Sequence, residues 1–207
     1  CAHILHGSHI DCNAFLGGIS KNYGTNYILS NSDYVVIEAD EFDRSFHWLS
    51  PWMSVITSTD PDHLDIYGTK ESYLESFRHY TSLIQPGGAL IIHTGLEMTV
   101  DVQPDVRIYT YSRNDGDFHA ENVRIDNGTI LFDMISPLGN VKDVELGQPV
   151  PINIENGIAA MAMAQLSGCT AEELRDGMKT YSGVDRRFDF KVKNDRHVVL
   201  SDYAHHP

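Results

Sequence analysis

Four carboxylates crowd into six residues at Glu38-Ala39-Asp40-Glu41-Phe42-Asp43. Like charges this close repel one another unless water or a cation neutralises them. The run therefore suits either a divalent-cation site or a solvated acidic loop. Asp60-Pro61-Asp62-His63-Leu64-Asp65 repeats the theme with an imidazole. Carboxylate and imidazole together suit a metal, and they equally suit a surface histidine bonded to nearby acids. Asn153 and Asn156 lie three residues apart. Their amides could read a nucleotide base, although Asn is also a good helix N-cap. In Gly183-Val184-Asp185-Arg186-Arg187-Phe188, two guanidinium groups precede an aromatic ring. Guanidinium forks match phosphate oxygens, and solvated surface charge is the alternative. The chain ends Ser201-Asp202-Tyr203-Ala204-His205-His206-Pro207. Neighbours on a strand point to opposite faces, so a phosphate contact from His205 or His206 is preferred over a metal held by both.

These segments need elements to place them. Asp33–Glu38 reads as a buried strand whose carboxyl end carries acids, and Met53–Thr57 as a second strand ending in the Asp-His segment. Lys70–Ile84 has apolar residues at Tyr73, Leu74, Phe77, Tyr80 and Ile84, one face of a helix, with Thr69 as N-cap. Pro86-Gly87-Gly88 stops it, and Ala89–His93 is the next strand. Strand, helix, strand predicts an α/β fold with a mostly parallel sheet flanked by helices. In such sheets ligands bind beyond the carboxyl ends of the strands. Residues 107–147 read as a small, largely antiparallel β section, with Asn127-Gly128 as a hairpin turn between Phe118–Asp126 and Thr129–Ile135. Asn153–Leu166 reads as a buried helix and Ala171–Tyr181 as another, capped by Thr170. Gly183 marks a boundary, after which Val198–Asp202 reads as the first strand of a further domain.

Composition narrows the function classes. The chain has 207 residues, 42% of them hydrophobic, with a formal net charge of -14. Its longest basic cluster is Arg186-Arg187, which argues against nucleic-acid binding. No apolar run approaches the length of a membrane span. The three cysteines, Cys1, Cys12 and Cys169, form no CxxC pair and suggest a reducing cytoplasm. Without an initiator Met or a signal-like start, the chain reads as a piece of a longer protein.

In order and approximate spacing, five segments together resemble the Mur ligase family: Glu-Ala-Asp-Glu at 38–41, Asp-Pro-Asp-His-Leu-Asp-Ile-Tyr at 60–67, Asn153 with Asn156, Gly-Val-Asp-Arg-Arg-Phe at 183–188, and Asp-Tyr-Ala-His-His-Pro at 202–207. The resemblance implies a three-domain ligase. Residues 1–182 would be most of its P-loop-like central ATP-binding domain, and 183–207 the start of a Rossmann-like C-terminal domain. It implies ATP and Mg²⁺ as cofactors, with Glu38 and His63 at the metal positions. Asn153, Asn156, Arg187 and Asp202 match the ATP site. Catalytic roles would fall to Glu38, His63 and Arg187, and substrate contacts to His63 and His205. The implied reaction phosphorylates the carboxylate of UDP-N-acetylmuramate and lets the amine of L-alanine expel phosphate, with Mg²⁺ and Arg offsetting the approach of two anions.

Departures from the family pattern are visible. No G-x-x-x-x-G-K-[ST] phosphate loop occurs in these residues. Ile152 stands where the family often has His before the first Asn, and Ser201 precedes Asp202 where two acids are common. No Lys follows Lys70 in its helix, so no carbamoylated lysine is expected there. Ala204 leans toward ligases that attach an intact tripeptide, whereas residues 60–67 and 186–188 lean toward alanine. A non-catalytic nucleotide-sensing module is the reading from another class.

Overall fold

Period-two alternation in the apolar runs decides which layer each side chain joins. The computed structural model describes residues 1–61, 64–194 and 196–203. It opens with α1 (Ala2–His6), β1 (Asn13–Ser20), β2 (Thr25–Ile28), β3 (Val35–Ile37) and a 3₁₀ segment (Phe42–Trp48). Next come β4 (Met53–Ile56), α2 (Leu64–Tyr67), α3 (Lys70–Ser82), β5 (Ala89–His93) and β6 (Arg107–Tyr111). The chain then forms β7 (His119–Asp126), β8 (Thr129–Ile135), β9 (Val141–Glu145), α4 (Ile152–Leu166), α5 (Ala171–Thr180), β10 (Asp189–Lys193) and β11 (Val198–Ser201).

β4, β5 and β6 form a parallel sheet, with Met53 opposite Ala89 and Ala89 opposite Arg107. Ile56 and Leu90 turn to one face and pack with Tyr73, Phe77, Tyr80 and Ile84. Val55 and Ile91 turn to the other and join a core with Ile154, Ile158, Met161 and Leu174. Each fully buried side chain of this size stabilises by about 1.5–3 kcal/mol. α3 begins as the sequence predicts, with the Thr69 hydroxyl accepting the Ser72 N–H at 3.1 Å. Helices on both faces of a parallel sheet make this the expected mixed α/β architecture.

Three expectations change in detail. Arg107–Tyr111 does not belong to the antiparallel section, because it continues the parallel sheet beside β5. The connection between them uses no helix. Residues 94–106 instead lay Leu96, Met98, Val100 and Val102 against the α3 core. The antiparallel section is β7, β8 and β9, with Asn127 and Gly128 at φ 48° and 80° in the predicted hairpin turn. The second change is β3, an exposed edge strand rather than a buried one. It pairs with β1 alone, and Val35 and Ile37 are 52% and 46% exposed. Third, β11 is not the first strand after Gly183, since β10 precedes it and pairs with it as an antiparallel hairpin.

β1 is the spine of a second sheet, antiparallel to β2 and parallel to β3. Ala14, opposite Ile28 and Val36, faces the core, while Phe15, opposite Tyr27 and Ile37, faces outward with all three rings and chains exposed. The far end of β1 carries the 183–203 segment. Ser20 bridges Val184, the Lys21 N–H reaches the Gly183 carbonyl, and the buried Asp189 carboxylate pairs with Lys21 at 2.5 Å and with Lys191. Among the described residues, no helix is long and apolar enough to cross a membrane.

Candidate functional site

The backbone delivers the chemistry-bearing loops to strand ends. Glu38 follows β3, its N–H bonded to the Phe15 carbonyl, and its exposed carboxylate accepts the Gly17 N–H at 2.8 Å. A Cβ on Gly17 would lie 2.6 Å from a Glu38 carboxylate oxygen, so only glycine lets that group approach so closely. Tyr181 stands nearby, and burial followed by the Glu38 charge pushes its phenol up. Beyond Glu38 the acidic run turns sharply. Asp43 and Arg44 adopt left-handed backbone at φ 53° and 56°, a conformation side chains rarely take except where the surroundings enforce it.

β3 and β4 end in different hydrogen-bonded sheets, so the two acidic loops do not hang from paired neighbouring strands. They meet through side chains. The Tyr67 hydroxyl of α2 donates to the Glu41 carbonyl, and the Arg44 guanidinium lies over the Tyr67 ring at 4.7 Å. The carboxyl-end loops after β3 and β4 are therefore in contact. Asp62 and His63, the other metal candidate, lie outside the described residues, as do His205 and His206. Among the described residues, no three His, Cys, Asp or Glu side chains gather as a metal-ligand set. Glu38 alone fits a hard cation, because magnesium usually takes one or two protein carboxylates and completes its shell with water and phosphate oxygens.

α4 places the two asparagines at the same carboxyl edge. Asn153 is not the cap. It lies inside the first turn, and its amide donates to the Gln148 carbonyl at 3.1 Å. Asn156 presents an exposed amide with no hydrogen bond among the described residues. Between them Glu155 reaches the sheet. One oxygen pairs with His93 Nε2 at 3.1 Å, at the end of β5, and the other accepts the Arg113 N–H at 3.1 Å, just past β6. The His93 ring packs edge-on against buried Tyr111 at 5.3 Å, and burial plus the Glu155 charge pushes that phenol up. Sequence reading missed Glu155, His93 and Tyr181. His93 at a strand end was the one available signal.

Asp202 and Tyr203 meet the loop that carries Arg187 through its neighbours, not through the Arg187 side chain. Asp202 accepts the Phe188 N–H at 3.3 Å, and the Tyr203 N–H bonds the Arg186 carbonyl at 2.7 Å. The Arg187 side chain is exposed, with no hydrogen bond or ion pair among the described residues, so its guanidinium is available to an anion.

Comparison with known proteins agrees with this arrangement. Residues 8–164 match the Mur ligase middle domain. A UDP-N-acetylmuramate–L-alanine ligase of Phocaeicola vulgatus is 71% identical over all 207 residues, and one of Porphyromonas gingivalis is 54% identical. The chain spans 45% and 46% of those two relatives. The solved UDP-N-acetylmuramate–alanine ligase of Thermotoga maritima shares the fold with a TM-score of 0.81 at 24% identity, covering 99% of this chain and 47% of that one. The UDP-N-acetylmuramate:L-alanyl-γ-D-glutamyl-meso-diaminopimelate ligase of Neisseria meningitides superposes at 0.75 with 18% identity, over 89% and 62%. With acidic loops following β3 and β4 and a family match across three quarters of its length, this chain belongs to the Mur ligase family.

Proposed function

We propose that these residues form the ATP-binding core of a cytoplasmic UDP-N-acetylmuramate–L-alanine ligase, acting in peptidoglycan precursor synthesis. The observation that carries this reading is the 71% identity over the whole chain to a relative of that name. Residues 1–182 would be the central domain, with 183–207 beginning the next. Mg²⁺ would supply charge neutralisation to the phosphates when bound beside Glu38 and His63. Glu38, fixed by the Gly17 amide, offers its carboxylate at the exposed strand end. Asn153 and Asn156 face the nucleotide base. Arg187 presents a free guanidinium fork to the anion that develops at the transferred phosphoryl group, and Asp202 holds its loop through the Phe188 amide. His205 would contact substrate phosphate.

The acceptor is the finer question, because the fold is shared with tripeptide ligases. A small closed pocket for alanine excludes bulk, whereas a tripeptide needs a long groove with cations for its carboxylates. Among the described residues no Arg/Lys set suited to such a groove is seen. The test places residues 1–207 into the matching span of the Phocaeicola vulgatus relative and measures phosphate release with ATP, Mg²⁺ and UDP-N-acetylmuramate. A higher kcat/KM for L-alanine than for L-alanyl-γ-D-glutamyl-meso-diaminopimelate is expected. A preference for the tripeptide would overturn the acceptor, and no turnover with either would overturn the ligase reading.

A further inference from the structure

α4 is apolar nearly all round: Ile154, Gly157, Ile158, Ala159, Met161, Ala162 and Ala164 are all buried. The hydrophobic effect has no direction, so burial alone sets the rotation of such a helix about its axis only weakly. Two of the residues proposed for nucleotide binding sit in its first turns, and their aim depends on that rotation. At about 100° per residue, Asn153 and Asn156 lie about 60° apart, while Glu155 lies about 160° from Asn153 and about 100° from Asn156. Glu155 is the acidic residue that ties these turns to the sheet, through His93 at 3.1 Å and the Arg113 amide at 3.1 Å. Both carboxylate oxygens are engaged, by partners on two different strands' ends. His93 is itself braced on the buried Tyr111 ring.

We propose that Glu155 and His93 are positioning residues, a polar latch that fixes the rotation of α4 and thereby aims Asn153 and Asn156 at the nucleotide base. The inference rests on the reading that these asparagines receive the nucleotide. Hydrogen bonds to charged groups are stronger than those between neutral groups, enough to hold a helix turn that apolar contacts leave free. Because the latch touches no reacting atom, its loss acts on nucleotide affinity and leaves the chemical step alone.

The experiment compares Glu155→Leu, Glu155→Gln, His93→Leu and Asn156→Ala in the whole ligase chain. Glu155→Leu is expected to raise KM for ATP about ten-fold while kcat and KM for L-alanine change less than about two-fold. Glu155→Gln keeps an acceptor for the Arg113 amide and an amide donor for the His93 ring nitrogen, and recovers most of the loss. Asn156→Ala raises KM for ATP in the same way. If Asn156→Ala raises KM for ATP and Glu155→Leu does not, the latch is wrong and the nucleotide reading stands. If neither moves it, both fall. An equal loss across kcat and every KM would make Glu155 a general structural residue and overturn the inference. Should Glu155→Leu fail to fold, His93→Leu decides, since it removes one partner and leaves the Arg113 bond in place. An unchanged KM for ATP there also overturns it.

Discussion

Among the described residues, the Glu38 carboxylate is held by a single backbone donor, the N–H of Gly17, and crowds that glycine. Glu38→Gln keeps the Gly17 bond and removes the charge, so turnover at low Mg²⁺ should fall on the order of 100-fold and recover in part as Mg²⁺ rises. Gly17→Ala tests the same group from behind. The new methyl would meet the carboxylate at 2.6 Å and swing it aside, lowering kcat/KM on the order of 10- to 100-fold with the charge intact. A magnesium titration that leaves both variants like the parent would remove Glu38 from the metal site. The acidic run at 38–43 was visible in the sequence, but it suited a solvated loop equally well, and Glu38 was singled out only by resemblance to the family. Glu155 was not, because a glutamate in the first turn of a helix already suits the helix dipole. Its partners also lie far away in sequence, 42 residues back in the case of Arg113.

Among the elements, α5 carries the most complete local signal. Thr170 and Glu173 form a reciprocal capping box, and Glu173 also accepts the His9 N–H and ring nitrogen, each at 2.8 Å. Thr170→Ala should cost about 1 kcal/mol in chemical denaturation. The bonds from His9 and then Thr170 bring the Glu173 carboxyl from 4.5 down to about 2. A depressed carboxylate stabilises the fold fully above its unfolded value and loses that contribution as pH falls from 4.5 toward 2. The melting temperature of the parent should therefore drop more between pH 6 and pH 3 than that of Glu173→Gln; equal drops would refute the linkage. The cap was legible because it is local. β1 was not read at all, since Gly17-Gly18 interrupts its pattern and half its residues face outward. β6 was assigned to the wrong sheet because five alternating residues do not say which neighbour they will pair with. That choice was made by the 94–106 connection packing under α3.

At the scale of the molecule, the layering around β4–β5–β6 followed from order alone, strand before helix before strand, while the division into separate ladders depended on pairings no short run reveals. One feature of the second sheet reaches beyond the fold. Phe15, Tyr27 and Ile37 form a transverse row across three strands, 54%, 52% and 46% exposed, on a chain whose net charge is -14. As a colloid, such a particle is balanced between a sticky face and a repulsive charge cloud. At low salt the repulsion extends some tens of ångströms; near 1 M it shrinks to about 3 Å, while apolar attraction persists. Light scattering from the 207-residue chain should therefore show mass rising with sodium chloride, the reverse of an ion-paired association. Phe15→Lys should flatten the rise. A mass independent of salt would mean that the row is too small to hold two chains together.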